Sequence, residues 1–397
     1  EYNTDYLKII PAEIIDPKNR EEMTDGMNIR ARFYADIADI LHTTSNSVSQ
    51  EMAPFEDNSG LNHNLAFSIG NQFDLGGNPL GVLAGINYRR SYSAYNLTEG
   101  SSSYFELNSD PTLGLLMNNQ FDYYNQQGVD NPQIGGLFNL AYKFAGTNKI
   151  AFNFLYNHDA EKMAAFGTGA NNNLLTGTNV LESRVLSWKE REMASFQLTG
   201  EHFIGFLNGA TLEWGGSIVN SSQEEPDLRF FANSYRENSD GTRNYFINPS
   251  QVDLPFHMWR NLDDQQQLAK ADLTIPFLQH QSKGNKFKFG FLYRNKDRDF
   301  EELRYQLQNK DSNTEPYTGD PTLFFSDANI GIVRVDTTNG GNLRYRSGLF
   351  LSDETRPENR YIGQEEITAY YGMGTYDIRK FRIIAGARVA ETNIQVK

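Results

Sequence analysis

Metal, nucleophile and phosphate chemistry each need fixed residue spacings, and this chain offers few. Its six histidines, at positions 42, 63, 158, 202, 257 and 280, include no H-E-x-x-H pair. The serine elbow G-x-S-x-G and the phosphate cradle G-x-x-x-x-G-K are both missing. With no cysteine there is neither a thiolate nucleophile nor a thiolate ligand. Carboxylates cluster at Glu224, Glu225 and Asp227, at Asp263 and Asp264, and at Asp297, Asp299, Glu301 and Glu302. Two such groups about 5 to 9 Å apart can cleave a glycoside, but clusters of this kind read more simply as solvated loop charge. Asn238–Ser239–Asp240–Gly241 supplies oxygen ligands of the sort Ca²⁺ takes, without the rest of a calcium loop, so a plain turn is expected. No catalytic residue, metal ligand or cofactor is expected, and the chain reads as a binder, not an enzyme.

Binding chemistry is better supplied. Tyr123, Tyr124, Tyr235, Tyr245, Phe246, Trp259, Phe324 and Phe325 break strand periodicity and fall in what read as long loops. Rings beside Asn, Asp and Arg suit recognition of a sugar or peptide, because a ring stacks while polar groups orient. The same rings also suit packing of loops on one another. Tyr123, Tyr124, Tyr235, Tyr245 and Trp259 are the expected ligand contacts. Arg89, Lys288, Arg294, Arg382 and Arg388 fall on polar strand faces, where they can draw an anionic substrate or pair with carboxylates of another domain.

The elements that must position these groups are strands. From about residue 64, ten segments alternate with a period of two, joined by connections of roughly 7, 41, 4, 30, 5, 44, 8, 66 and 2 residues. Leu65, Phe67, Ile69 and Phe73 share one face, as do Ile150, Phe152, Phe154 and Tyr156, and Phe287, Phe289, Phe291 and Tyr293. Gly, Asn, Ser and Gln with scattered Arg and Lys fill the other sides. Tight turns on one side and long loops on the other are what a barrel spanning the bacterial outer membrane needs. Aromatic residues sit at both strand ends: Phe73, Phe144, Phe277 and Tyr376 by the short turns, Tyr88, Tyr156 and Tyr293 toward the long loops. The fold class expected is all-β, an antiparallel meander forming part of a transmembrane β-barrel with short periplasmic turns and long extracellular loops.

Composition agrees with that placement. Phe and Tyr number 27 and 21, enough to line a lipid–water boundary. A net charge of −14 argues against nucleic acid as a partner. Mean hydropathy is −0.59, and no run of about 18 apolar residues exists for a transmembrane helix. Residues 1–60 read as an extracellular loop region. One amphipathic helix is expected near 20–42, with Met27, Ala31, Tyr34, Ala38 and Leu41 inward and Glu21, Glu22, Arg30 and Asp39 outward. Residues 61–397 read as a partial barrel. Both ends look cut, so a removed leader and a longer polypeptide are expected.

Several segments resemble TonB-dependent outer-membrane receptors. Thr4–Asp5–Tyr6–Leu7 up to Pro11 is similar to the stretch after their plug and first strands. Asn78–Pro79–Leu80–Gly81–Val82–Leu83–Ala84–Gly85 and Ser91–Tyr92–Ser93 resemble an early hairpin. Glu224–Glu225–Pro226–Asp227 resembles an acidic turn at the barrel mouth. Gly386–Ala387–Arg388–Val389–Ala390–Glu391 resembles a G-x-R-x-E strand with one extra residue before the Glu. The resemblance implies a 22-stranded barrel of which these ten strands are a part, with its plug ahead of Glu1. It also implies active import of a scarce nutrient, driven by an inner-membrane energy-coupling protein, with membrane lipids, the plug and a surface lipoprotein as partners. Two other readings fit the alternation: a passive outer-membrane channel or structural barrel, and a secreted β-rich adhesin.

Overall fold

The computed structural model describes residues 10–107, 112, 116–171, 179–247, 252–279, 284–311, 313–378 and 380–397. Among the described residues four helices come first: α1 (Ala12–Ile15), α2 (Pro17–Glu22), α3 (Met27–Ala31) and the longer α4 (Ala35–Ser47). The strands are β1 (His63–Asp74), β2 (Pro79–Leu107), β3 (Met117–Phe144), β4 (Asn148–Asn171), β5 (Val180–Ile204), β6 (Ala210–Glu237), β7 (Arg243–Phe246), β8 (Phe256–Pro276) and β9 (Lys286–Gln308). An insertion then carries helix α5 (Pro321–Phe324), the hairpin β10 (Ile332–Thr337) and β11 (Leu343–Ser347), and β12 (Phe350–Asp353). β13 (Arg360–Ile378) and β14 (Phe381–Val396) finish the chain.

Twelve of these strands form one antiparallel sheet in the order β1-β2-β3-β4-β5-β6-β8-β9-β13-β14, with β7 on β6 and β12 on β9. The meander is as the alternation predicts. Among the described residues β1 pairs only with β2 and β14 only with β13, so the sheet is open and no closed barrel is formed. The long loops also need correction. The stretches expected to be loops of roughly 41, 30 and 44 residues are mostly strand, since β2, β3 and β6 run to 29, 28 and 28 residues. Ladder hydrogen bonds continue there although the side chains no longer alternate, because each strand's backbone groups are satisfied by its neighbour whatever it carries.

The single helix expected near 20–42 is instead α2, α3 and α4. The chain breaks after Glu22 and restarts after Gly26, the N-terminal cap of α3. A second break places Tyr34 outside α4. Each restart resets the 3.6-residue phase, which is why Met27, Ala31, Ala38 and Leu41 are buried but Tyr34 is 60% exposed.

Register merges the apolar sides of the strands into one surface. A single ladder row runs Ile69, Ala84, Phe138, Phe154, Phe196 and Ile218 across β1 to β6. It continues through Gln267, Asn295 and Glu366 to Asn393. On β14 the apolar span centres on Ala385, eight residues below Asn393 toward the short turn. At about 3.4 Å per residue and 4.8 Å per strand, that fall over nine strand steps slants the band by roughly 30°. Its central span carries no charged side chain, and it is uncovered: Ile69 is 64% and Phe289 50% exposed. Rings line its short-turn edge in contact: Phe144 with His202 at 6.1 Å, His202 with Trp214 at 6.3 Å, and Phe277 with Phe287 at 4.4 Å.

The sheet curls toward its polar side. On β8 the polar-face residues Arg260, Leu262, Asp264, Gln266 and Leu268 are half-buried, whereas Asn261, Asp263, Gln265, Gln267 and Ala269 opposite are exposed. Side chains crowd inside a bend and splay outside it.

Farther from the short turns, the band's own face is covered. Trp259, Leu303 and Tyr305 share their strands' face with Ala271 and Phe289, yet pack in a buried core with Met27 and Leu41 from the helices and with Phe325 and Phe350. Polar ties fix this cap: Arg20 to Asp353 at 2.8 Å, Arg32 to Asp311 at 2.6 Å, and the Tyr305 hydroxyl donating to the Ile14 carbonyl at 3.2 Å. Burial raises the Tyr305 hydroxyl's pKa well above its ordinary value, so it stays a donor.

Candidate functional site

The polar, inner face of the curl is where charge gathers. Lys288 lies between Asp272 at 3.6 Å and Glu213 at 3.8 Å, and the Tyr371 hydroxyl donates to Asp272 at 2.6 Å. Tyr371 can reach because the strand between is glycine at 290: a Cβ there would stand 1.9 Å from the Tyr371 ring. Arg294 meets Glu365 at 2.7 Å, and Arg382 meets Asp377 at 2.7 Å. The sequence reading has these cations pairing outside the chain or drawing an anion. Three of the five are instead neutralised within the sheet, because antiparallel register sets opposite charges side by side. Arg89 and Arg388 are exposed and have no ion pair among the described residues. A groove of about 400 Å³ on this face is lined by Lys149, Thr199, Glu201, Glu213, Lys270, Asp272 and Lys288.

Higher on the same face the pairs continue. Arg298 and Lys296 share Asp264 at 2.6 and 3.1 Å, and Arg260 bridges Glu302 at 2.7 Å and Glu225 at 3.2 Å. Two of the acidic clusters that read as loop charge therefore lie on β8 and β9. The third, Glu224–Glu225–Pro226–Asp227, is not a turn but a β-bulge inside β6, with Asp227 at φ 49°. There Asp227 accepts from His257 Nδ1 at 2.5 Å and from Arg229 at 2.7 Å, with His257 fully buried. Burial alone would push the Asp227 carboxyl up, but its contacts with His257 and the Arg229 guanidinium hold it below the usual carboxylate range. Arg229 also donates to the Glu51 carbonyl at 2.9 Å, tying the segment after α4 to the sheet. Thirty residues separate Asp227 from His257, and no sequence motif signals the pair.

The expected ring contacts divide. Trp259 and Tyr235 are buried and cannot stack on a ligand. Trp259 lies 5.9 Å edge-on from Tyr305, and Tyr235 lies 5.7 Å from Tyr245 with the Arg243 guanidinium over its ring. Phe324 and Phe325 are also in the cap core. Trp259 reaches this core from the start of β8, and Phe324 and Phe325 from α5 and its C-terminal cap in the insertion. Tyr123 and Tyr124 lie on β3, not in a loop. Tyr123 is half-buried beside Phe121, and Tyr124 is exposed with its hydroxyl donating to Asp122 at 3.1 Å. Asn238–Ser239–Asp240–Gly241 is the β6–β7 turn, with Asp240 accepting from its own Thr242. No three His, Asp or Glu side chains converge as a metal site among the described residues. His280 and residues 4–9 of the receptor-like segment lie outside the described residues. No protein-family model, curated protein or solved structure matches this chain.

Proposed function

We propose that this chain is part of the wall of a β-barrel in a bacterial outer membrane, with the apolar band against lipid and the charged face toward the lumen. Within that setting it serves a TonB-dependent transporter importing a scarce nutrient. The observation that carries the reading is the slanted, uncharged, uncovered band on the outside of the curl. Its slant of roughly 30° approaches the ~35–45° tilt of strands in such barrels. Among the described residues no helix is long and apolar enough to cross a membrane, so any crossing there falls to strands. The cap, sited beyond the band and away from the short turns, then lies outside the cell. The transport half of the reading rests on the receptor-like segments and on the neutralised inner charges, which suit a docked plug or a passing solute.

The test is assembly of the full-length polypeptide with Phe152→Asp and Phe289→Asp. The expected result is loss of the urea-resistant membrane fraction. Normal yield of soluble protein would overturn the wall and favour a secreted adhesin. Wild-type protein in planar bilayers should hold no steady conductance; a persistent open pore would replace the transporter with a passive channel.

A further inference from the structure

One ladder row on the charged face is anomalous. Leu262, Phe300 and Tyr361 stand side by side on β8, β9 and β13, an apolar strip three strands wide among ion pairs. The Phe300 and Tyr361 rings are 5.4 Å apart, tilted by 32°, and all three side chains are half-buried. Next along β13 on the same face comes Gly363, opposite Arg298, where an added Cβ would meet no atom within 4 Å. Room therefore adjoins the rings.

The surroundings select what can use that room. Toward the band stands Arg298 with Asp264. Toward the cap stands Arg260 with Glu302, which also accepts from Asn359 at 2.6 Å. Along the row, Arg191 donates to Gln223 at 3.1 Å and meets Asp159 at 3.3 Å. Each charge has its counter-ion, so an anion or cation entering here would find its opposite already taken and would meet like charge nearby. A neutral, polyhydroxylated ring fits instead: its C–H face covers apolar rings while its hydroxyls bond to planar guanidinium, amide and carboxylate groups.

We propose that Leu262, Phe300, Tyr361 and the space at Gly363 form a stacking site for a neutral saccharide unit of the transported or captured solute. This rests on the charged face being a lumen.

The experiment screens purified full-length protein in detergent against arrayed neutral and acidic oligosaccharides, then titrates the best neutral one by calorimetry. Phe300→Ala should weaken it about tenfold, the equivalent of ~1.4 kcal/mol, and Tyr361→Phe should keep most of the affinity. Gly363→Phe removes no contact and fills the space, so it should abolish binding while the urea-resistant membrane fraction persists. Absence of neutral binders, preference for acidic ones, or Gly363→Phe binding within twofold of wild type would each overturn the site. Loss of membrane assembly in the wild type would instead remove the lumen on which it rests.

Discussion

The same face of the same strands has two fates. On β8 and β9, Ala271, Leu273, Phe289 and Phe291 lie in the uncovered band, while Trp259, Leu303 and Tyr305 lie under helices in a closed core. Residue type differs little between the halves; the partner differs. The upper half brings its own cover, from the helices that precede β1 and from the insertion after β9. The lower half presents a continuous apolar area across ten strands, far more than a protein surface in water leaves bare. An apolar strand face has to meet either lipid or protein, and alternation alone does not say which.

The sharpest way to break this contrast is to truncate a ring on each side. Phe231 is fully buried, edge-on to Phe325 at 4.9 Å, and Phe231→Ala should cost about 3–5 kcal/mol of cap stability. The readout is the urea midpoint followed by Trp259 fluorescence. Phe154→Ala, a band residue, should leave that midpoint unmoved; an equal loss would mean that protein covers the band. Next, Phe152→Arg should cost roughly 2–4 kcal/mol in lipid bilayers, depending on depth. It should cost little in a detergent that lets the guanidinium reach water, so a comparison of refolding in the two media decides it.

The cap's buried charges come third. Asp227→Asn leaves buried Arg229 with only the longer 3.8 Å contact to the exposed Glu51 carboxylate as an ion pair, and should cost about 3 kcal/mol. Because the Asp227 carboxyl is held below its ordinary value, its contribution is fully present above about pH 4, the unfolded-state value. It is lost as pH falls through the lower folded value. Cap stability should therefore drop steeply under acid in the wild type and less steeply in Asp227→Asn; parallel curves would show that other carboxylates dominate. The smallest effect belongs to the polar face of the sheet. Arg294→Gln breaks a part-exposed pair with Glu365 and should change stability by less than about 1 kcal/mol.

Much of this fold is legible in the sequence because period-two alternation is a local signal. The strands through Phe67, Phe152 and Phe289 and their tight turns read correctly. What fails does so where the partner is distant. The upper halves of β2 to β6 look like loops because both of their faces meet water or mixed protein, which erases the alternation but not the ladder. Trp259 and Tyr235 read as exposed binders because their cover comes from residues hundreds of positions away or from the insertion after β9. The charge pairs follow from register between strands, so Arg294 gives no hint of Glu365 until the strands are laid side by side.

The bulge at Pro226 and Asp227 deserves a last reading as a phase slip. Below it, even-numbered residues of β6 such as Trp214 and Ile218 face outward; above it, odd-numbered ones such as Arg229 and Phe231 do. One extra residue thus works as a half-period delay in a two-beat code, and everything downstream on that strand takes its address from it. Deleting Pro226 would let Asp227 alone stand opposite Trp259, with Leu228 still opposite Met258 and Phe231 still outward; closing the bulge with Pro226 retained would instead reverse the addresses and turn Phe231 to the charged face. The facing of upper β6 therefore depends on one extra residue being held out of the ladder at this point.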